Sequence, residues 1–103
     1  MLNKIISINT SGVSGNRATK DVVIIDPLGI HARPGSDLVK LASTFQNKII
    51  ITANGKKIDP KSILQMLTIA AGKGDTLTIT VLGADAGDVL NKLIEHLERE
   101  KII

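Results

Sequence analysis

The sequence predicts an α+β domain in two layers, with the element order βαββαβα and three helices covering one face of a four-stranded antiparallel sheet. Three observations predict it. Thr76-Leu77-Thr78-Ile79-Thr80-Val81 alternates strictly, with Leu77, Ile79 and Val81 on one side and three threonines on the other. Such a strand has one buried and one solvated face, as in an antiparallel sheet covered on one side. Asn54-Gly55, between the strands 48–53 and 56–59, is a hairpin signal, because both central residues of a type I′ turn need positive φ. Apolar stripes at helical spacing then supply the covering layer: Leu38, Leu41, Ala42 and Phe45 in one helix, and Ala86, Val89, Leu90, Leu93, Ile94 and Leu97 in another.

Taken in order, residues 1–20 form a polar N-terminal extension, rich in Ser, Thr, Asn and Gly, that is expected to be poorly ordered. A short strand over residues 4–8 is the alternative. The domain proper is expected over residues 21–103. Its first strand is read over 21–26, around Val22-Val23-Ile24-Ile25, and its first helix over 36–45, with Pro34 confined to the first helical turn. A third, short helix is read over 62–67, with Asp59 as N-cap and Pro60 in its first turn. Met66 and Ile69 are expected to point inward, and Ile63, Leu64 and Leu67 at least partly outward. Asp85 is read as the cap of the last helix, whose outer side carries Lys92, Glu95, His96, Glu98 and Arg99.

Composition narrows the function classes. The 103 residues make one domain, with 43% hydrophobic and 22% charged residues, as in a soluble globular protein. Phe45 is the only aromatic residue, so the core is aliphatic. No apolar run reaches the ~20 residues needed to cross a bilayer, so membrane insertion is not expected. The absence of cysteine excludes disulfides, thiolate metal sites and cysteine nucleophiles, and fits a cytoplasmic setting. The formal charge of +3 lies in the extension, where Lys4, Arg17 and Lys20 face no acid; the ten other cations balance ten acids. With no basic face and no stacking aromatics, nucleic acid is not an expected partner. No ligand spacing joins His31 to His96, so no metal site is expected, and no nucleotide loop or Ser-His-acid order appears.

The chemistry concentrates in Gly29-Ile30-His31-Ala32-Arg33-Pro34-Gly35, between the first strand and the first helix. The first N–H groups of a helix have no partner within it, and the dipole leaves partial positive charge there, so a phosphate binds well. A neutral imidazole is a competent nucleophile near neutral pH. His31, the amides of Ala32, Arg33 and Gly35, and the Arg33 guanidinium together suggest a transiently phosphorylated histidine.

Gly29-Ile30-His31-Ala32-Arg33-Pro34 resembles the active-site signature of HPr, the family of histidine-containing phosphocarriers of the bacterial sugar phosphotransferase system. Asn54-Gly55-Lys56-Lys57 with Lys61-Ser62-Ile63, and Lys73-Gly74 with Gly83-Ala84-Asp85-Ala86, continue the resemblance in order and spacing to about residue 100. It implies an open-faced β-sandwich with sheet order 1-4-2-3. It implies that His31 takes a phosphoryl group from phosphorylated enzyme I and passes it to sugar-specific IIA components, with Arg33 stabilising the group and no cofactor. Ser62 matches the family's regulatory serine, phosphorylated in some bacteria by an ATP-dependent kinase/phosphorylase and read by a carbon-regulatory protein. Ile63, Leu64 and Leu67 match a docking patch for enzyme I and IIA. Gly35 departs from the family's frequent alanine, and a looser backbone is expected there. The implied protein is a monomeric transfer intermediate; the rival is a regulatory HPr paralogue serving nitrogen or carbon signalling.

Overall fold

A computed structural model describes residues 11–14, 16–30 and 32–103. Its elements are β1 (Ser11–Ser14), β2 (Arg17–Val23), α1 (Ala32–Ala42), β3 (Lys48–Ala53), β4 (Lys56–Ile58), α2 (Ile63–Met66), β5 (Thr76–Leu82) and α3 (Ala86–Arg99). The five strands are antiparallel in the order β1-β2-β5-β3-β4. Without β1, this is the expected four-stranded sheet in the order 1-4-2-3, with three helices.

The alternation of β5 does what its pattern predicts. Leu77, Ile79 and Val81 are buried with Ile49 and Ile51 of β3, Ala18 and Val22 of β2, and the stripe from Ala86 to Leu97 on α3. Burying these aliphatic side chains, at roughly 1.5–3 kcal/mol each, is the main force joining the layers. The threonines of β5 line the open face. There the Thr78 hydroxyl donates to Asp21 at 2.7 Å, and the hydroxyls of Thr80 and Thr19 lie 3.0 Å apart.

Several expectations are corrected. The first strand starts at Arg17 and ends at Val23, pairing with β5 from Arg17↔Leu82 to Val23↔Thr76. Residue 20 therefore falls inside a strand, and Ser11–Ser14 of the extension adds a further strand. Only Ala18 of residues 17–20 faces the core, too weak an apolar signal for a strand. The alternative strand at residues 4–8 lies outside the described residues. The first helix spans 32–42 rather than 36–45; Pro34 falls in its first turn, where no N–H is needed.

At the short helix, Ser62 rather than Asp59 is the N-cap: its Oγ accepts the Gln65 N–H at 3.3 Å, while Asp59 closes the preceding turn by accepting the Lys61 N–H. Asp85 does stand at the start of α3, but its φ of 57° turns the carboxylate away from any capping bond. Finally, His96 is half-buried rather than on the surface, and its Nε2 is buried without a hydrogen-bond partner among the described residues.

Asn54 and Gly55 take φ of 51° and 78°, as the hairpin requires. Ala70, with φ 45°, has no such excuse. A left-handed conformation costs an L-residue roughly 1–2 kcal/mol, and glycine's extra freedom in the unfolded chain offsets about 0.5–1 of that. Ala70 is exposed, so its methyl contributes little packing. Ala70→Gly is expected to stabilise the domain by about 0.5–1 kcal/mol, read as a higher urea midpoint. A lower midpoint would show that the methyl group outweighs the strain.

Candidate functional site

The site is built on the loop that ends β2 and starts α1. After Val23 the chain leaves the ladder, and new partners hold it. The Ile24 N–H bonds Asp75 O at 3.0 Å, and the Gly74 N–H returns to Ile24 O at 2.8 Å. Asp26 then makes a tight turn, its Oδ1 accepting the Leu28 N–H and its carbonyl the Gly29 N–H. Gly29 has φ +66° and sits so close to the segment after α2 that a Cβ there would lie 2.3 Å from Ala71 O and 2.8 Å from Gly72 Cα. The Ile30 N–H bonds the same Ala71 carbonyl at 3.2 Å. Gly72 is pinned in turn, its N–H donating to Asp75 Oδ2 at 2.9 Å. That bond, with a second from Asn54 Nδ2, holds the Asp75 carboxyl below the ordinary aspartate range. Two loops are thus locked together immediately before the histidine.

His31 itself lies outside the described residues. The helix α1 begins at the next residue, Ala32, so the backbone N–H groups of Ala32 and Arg33 belong to the first turn and lack helical acceptors, whereas Gly35 is the fourth helical residue, whose N–H is the first that the helix's own bonding uses. Pro34 contributes none. A Cβ on Gly35 would meet only Ile30 Cγ2, at 3.7 Å, an ordinary contact. Glycine is therefore not demanded there, and the backbone freedom it brings is a choice of this chain.

The Arg33 side chain is 78% exposed, and its Nη2 lies 4.0 Å from Glu100 Oε1. The end of α3 is thereby placed beside the start of α1. Nothing in the helical pattern marked Glu100: it is the C-cap of α3, outside the apolar stripe. An exposed pair of this kind contributes about 0–1 kcal/mol to stability. Arg33→Ala should therefore leave the melting temperature nearly unchanged. The role that the resemblance implies for Arg33 predicts slower phosphate transfer, since loss of one donor to a transition-state oxyanion costs roughly 10²–10³ in rate. A large fall in stability with normal transfer would identify Arg33 as structural instead.

Ser62 is half-buried at the N-cap of α2, and α2 packs against α1. Leu64 is 75% exposed, Leu67 55% and Ile63 39%, whereas Met66 and Ile69 are buried. One small helix thus carries both a hydroxyl and an apolar surface. Among the described residues, no group of three or more His, Asp or Glu is placed to hold a metal ion, and no helix is long and apolar enough to cross a membrane.

Residues 18–99 match the family model described as the PTS HPr component phosphorylation site. The fold is similar to that of the histidine-containing phosphocarrier protein of Mycoplasma, with 35% identity over 84% of this chain and 98% of that one, and a TM-score of 0.81. The phosphocarrier protein HPr of Bacillus anthracis is 34% identical over 78% of this chain and 95% of its own, with a TM-score of 0.72. The catabolite repression protein Crh of Bacillus subtilis is 28% identical over 80% of this chain and 93% of its own, with a TM-score of 0.62. The chain belongs to the HPr family, the phosphocarriers of the phosphotransferase system.

Proposed function

We propose that this protein accepts a phosphoryl group on His31 from phosphorylated enzyme I and passes it to sugar-specific IIA components in sugar uptake. The observation that supports this most is the position of the motif: His31 directly precedes the first residue of an 11-residue helix in a chain of this family. The imidazole Nδ1 forms a bond to phosphorus as the donor's bond breaks, and the reverse exchange delivers the group to the acceptor. Such a transfer needs in-line access and charge stabilisation, and little covalent work from the protein. The amides of Ala32 and Arg33 and the Arg33 guanidinium supply the stabilisation. Ile63, Leu64 and Leu67 form the docking patch for both partners, an apolar surface of the usual kind. The carrier is a cytoplasmic monomer in this reading. Incubation with enzyme I and phosphoenolpyruvate should add one acid-labile phosphate by intact mass; no mass gain would overturn the assignment.

Ser62 is the regulatory position of the same reading, phosphorylated by a serine kinase/phosphorylase and read by a carbon-regulatory protein. A phosphoserine brings roughly −1.5 to −2 charge, which a helix start tolerates. The effect should therefore fall on docking rather than on folding. Ser62→Ala is expected to take up phosphate from enzyme I near the wild-type rate, and Ser62→Asp on the order of tenfold more slowly, with similar melting temperatures. Equal rates in all three proteins would leave Ser62 an ordinary capping residue.

The similarity to Crh supports a second reading, a regulatory paralogue not dedicated to sugar transport. The pairing of His31 with Arg33 favours the carrier. Onward transfer to a IIA component separates the two.

A further inference from the structure

The loop that leads to His31 hangs by both ends from one short segment. At its start, the Ile24 N–H donates to Asp75 O at 3.0 Å, and the Gly74 N–H donates to Ile24 O at 2.8 Å. At its finish, the Ile30 N–H donates to Ala71 O at 3.2 Å. The span from Ala71 to Asp75 therefore sets how the two ends of the loop 24–30 stand relative to each other. With them it sets the residue that immediately precedes the histidine.

That span has little stiffness of its own. It contains Gly72 and Gly74, and a Cβ at either would meet nothing within 4 Å, so no steric contact holds them. Glycine also has the widest choice of backbone conformations. Asp75 is what closes the turn. Its N–H donates to Gly72 O at 3.0 Å, and its Oδ2 accepts the Gly72 N–H at 2.9 Å. A second donor holds the carboxylate itself. Asn54 Nδ2, at the tip of the β3–β4 hairpin, lies 3.2 Å from the same oxygen and 3.4 Å from Ala70 O. Both bonds to Asp75 favour its ionised form, the form that accepts from two donors at once.

We infer that Asp75 is a positioning residue for phosphoryl transfer at His31: it orients the Ala71 carbonyl on which Ile30 rests, and Asn54 holds its carboxylate in place. The role rests on the carrier reading and extends the site to two residues far from the motif. It requires no contact between Asp75 and the phosphoryl group. The effect passes through backbone, from Asp75 to Gly72, from Ala71 to Ile30, and from Ile30 to the neighbouring histidine. Transfer needs in-line geometry, and a misplacement of about 1 Å costs up to roughly 10²-fold in rate. The apolar patch of Ile63, Leu64 and Leu67 lies on α2, outside this chain of bonds, so docking should be unaffected.

The test compares Asp75→Ala and Asp75→Asn in the full chain, well below the melting temperature of each, by two readouts. The first is hydrogen exchange at the Ile30 amide, which needs no phosphate. Asp75→Ala should speed it by about tenfold or more while the β5 amides stay protected. Asp75→Asn keeps an oxygen for the Gly72 N–H and should stay within about threefold of wild type. The second is phosphate uptake from enzyme I and phosphoenolpyruvate. Asp75→Ala should lower kcat by about tenfold at unchanged KM, and Asp75→Asn should recover most of the loss. If Asp75→Ala does not fold, Asn54→Gly keeps the positive φ, removes the Nδ2 donor, and should show the same pattern at about threefold. Wild-type Ile30 exchange or wild-type kcat in a folded Asp75→Ala protein would overturn the role, as would a rise in KM alone. No uptake by the wild type would instead end the carrier reading, and the role with it.

Discussion

His31→Ala is expected to take up no phosphate from enzyme I and phosphoenolpyruvate, while folding as the wild type does. The chain holds two histidines. An acid-labile phosphoramidate therefore has His31 or His96 as its imidazole acceptor. His96 is half-buried on α3 with its Nε2 enclosed, which denies that nitrogen the in-line approach that phosphoryl transfer needs. Removing His31 is expected to take away the whole acid-labile signal rather than a fraction of it. The measurement is intact mass before and after mild acid, with circular dichroism to establish the fold. Labelling that persists in His31→Ala would end the carrier assignment.

The second large effect is structural. Gly29→Ala is expected to destabilise the domain by on the order of 3 kcal/mol, a fall of roughly 10–20 °C in melting temperature. Two costs combine. The left-handed φ of +66° is unfavourable for any L-residue. The new methyl would also overlap backbone, with Ala71 O at 2.3 Å, and backbone cannot rotate out of the way as a flexible side chain can. Gly55→Ala is the control, since it shares positive φ but has no atom within 4 Å of its Cβ. It should lose only about 0.5–1 kcal/mol, the left-handed cost less glycine's extra freedom in the unfolded chain. Equal losses in the two variants would show that φ, not the contact with Ala71, is what demands glycine at position 29. Because the Ile30 N–H rests on the same carbonyl, Gly29→Ala should also slow phosphate uptake in whatever fraction remains folded.

Much of the fold was legible because single residues dictated it. The Thr-Leu-Thr-Ile-Thr-Val alternation defines a half-buried strand, and Asn54-Gly55 defines the β3–β4 turn by what its φ angles permit. The six-residue stripe of α3 is buried as its spacing requires. The misses have equally specific causes. Arg17–Lys20 forms a strand because β5 is long enough to pair with it, and one buried alanine could not announce that. Asp59 and Ser62 are both good caps by type, and the Asp59–Lys61 turn decided between them. At the site, the motif pointed to His31 and Arg33 through their chemistry, whereas Glu100 reaches Arg33, and Ala71 reaches Gly29 and Ile30, only through the tertiary fold. No local pattern could have brought residues from the far end of the chain to the start of α1.

The sheet order has a consequence in time. β5 lies between β2 and β3, yet it is the last strand in the chain. The β3–β4 hairpin closes over a two-residue loop, whereas β2 must wait for a partner whose residues lie about sixty positions later, as in Asp21↔Thr78. Long closures of this kind slow the search for the native state, because their entropy is lost before contacts compensate it. During synthesis, the apolar inner faces of β2 and β3 stay without their central neighbour until residue 82 has emerged. The bonds from Ile24 to Asp75 and from Ile30 to Ala71 wait with them. The segment leading into the His31 motif is translated well before β5 yet acquires its shape only with it, so a chain that stops short of β5 lacks the geometry that phosphate transfer requires.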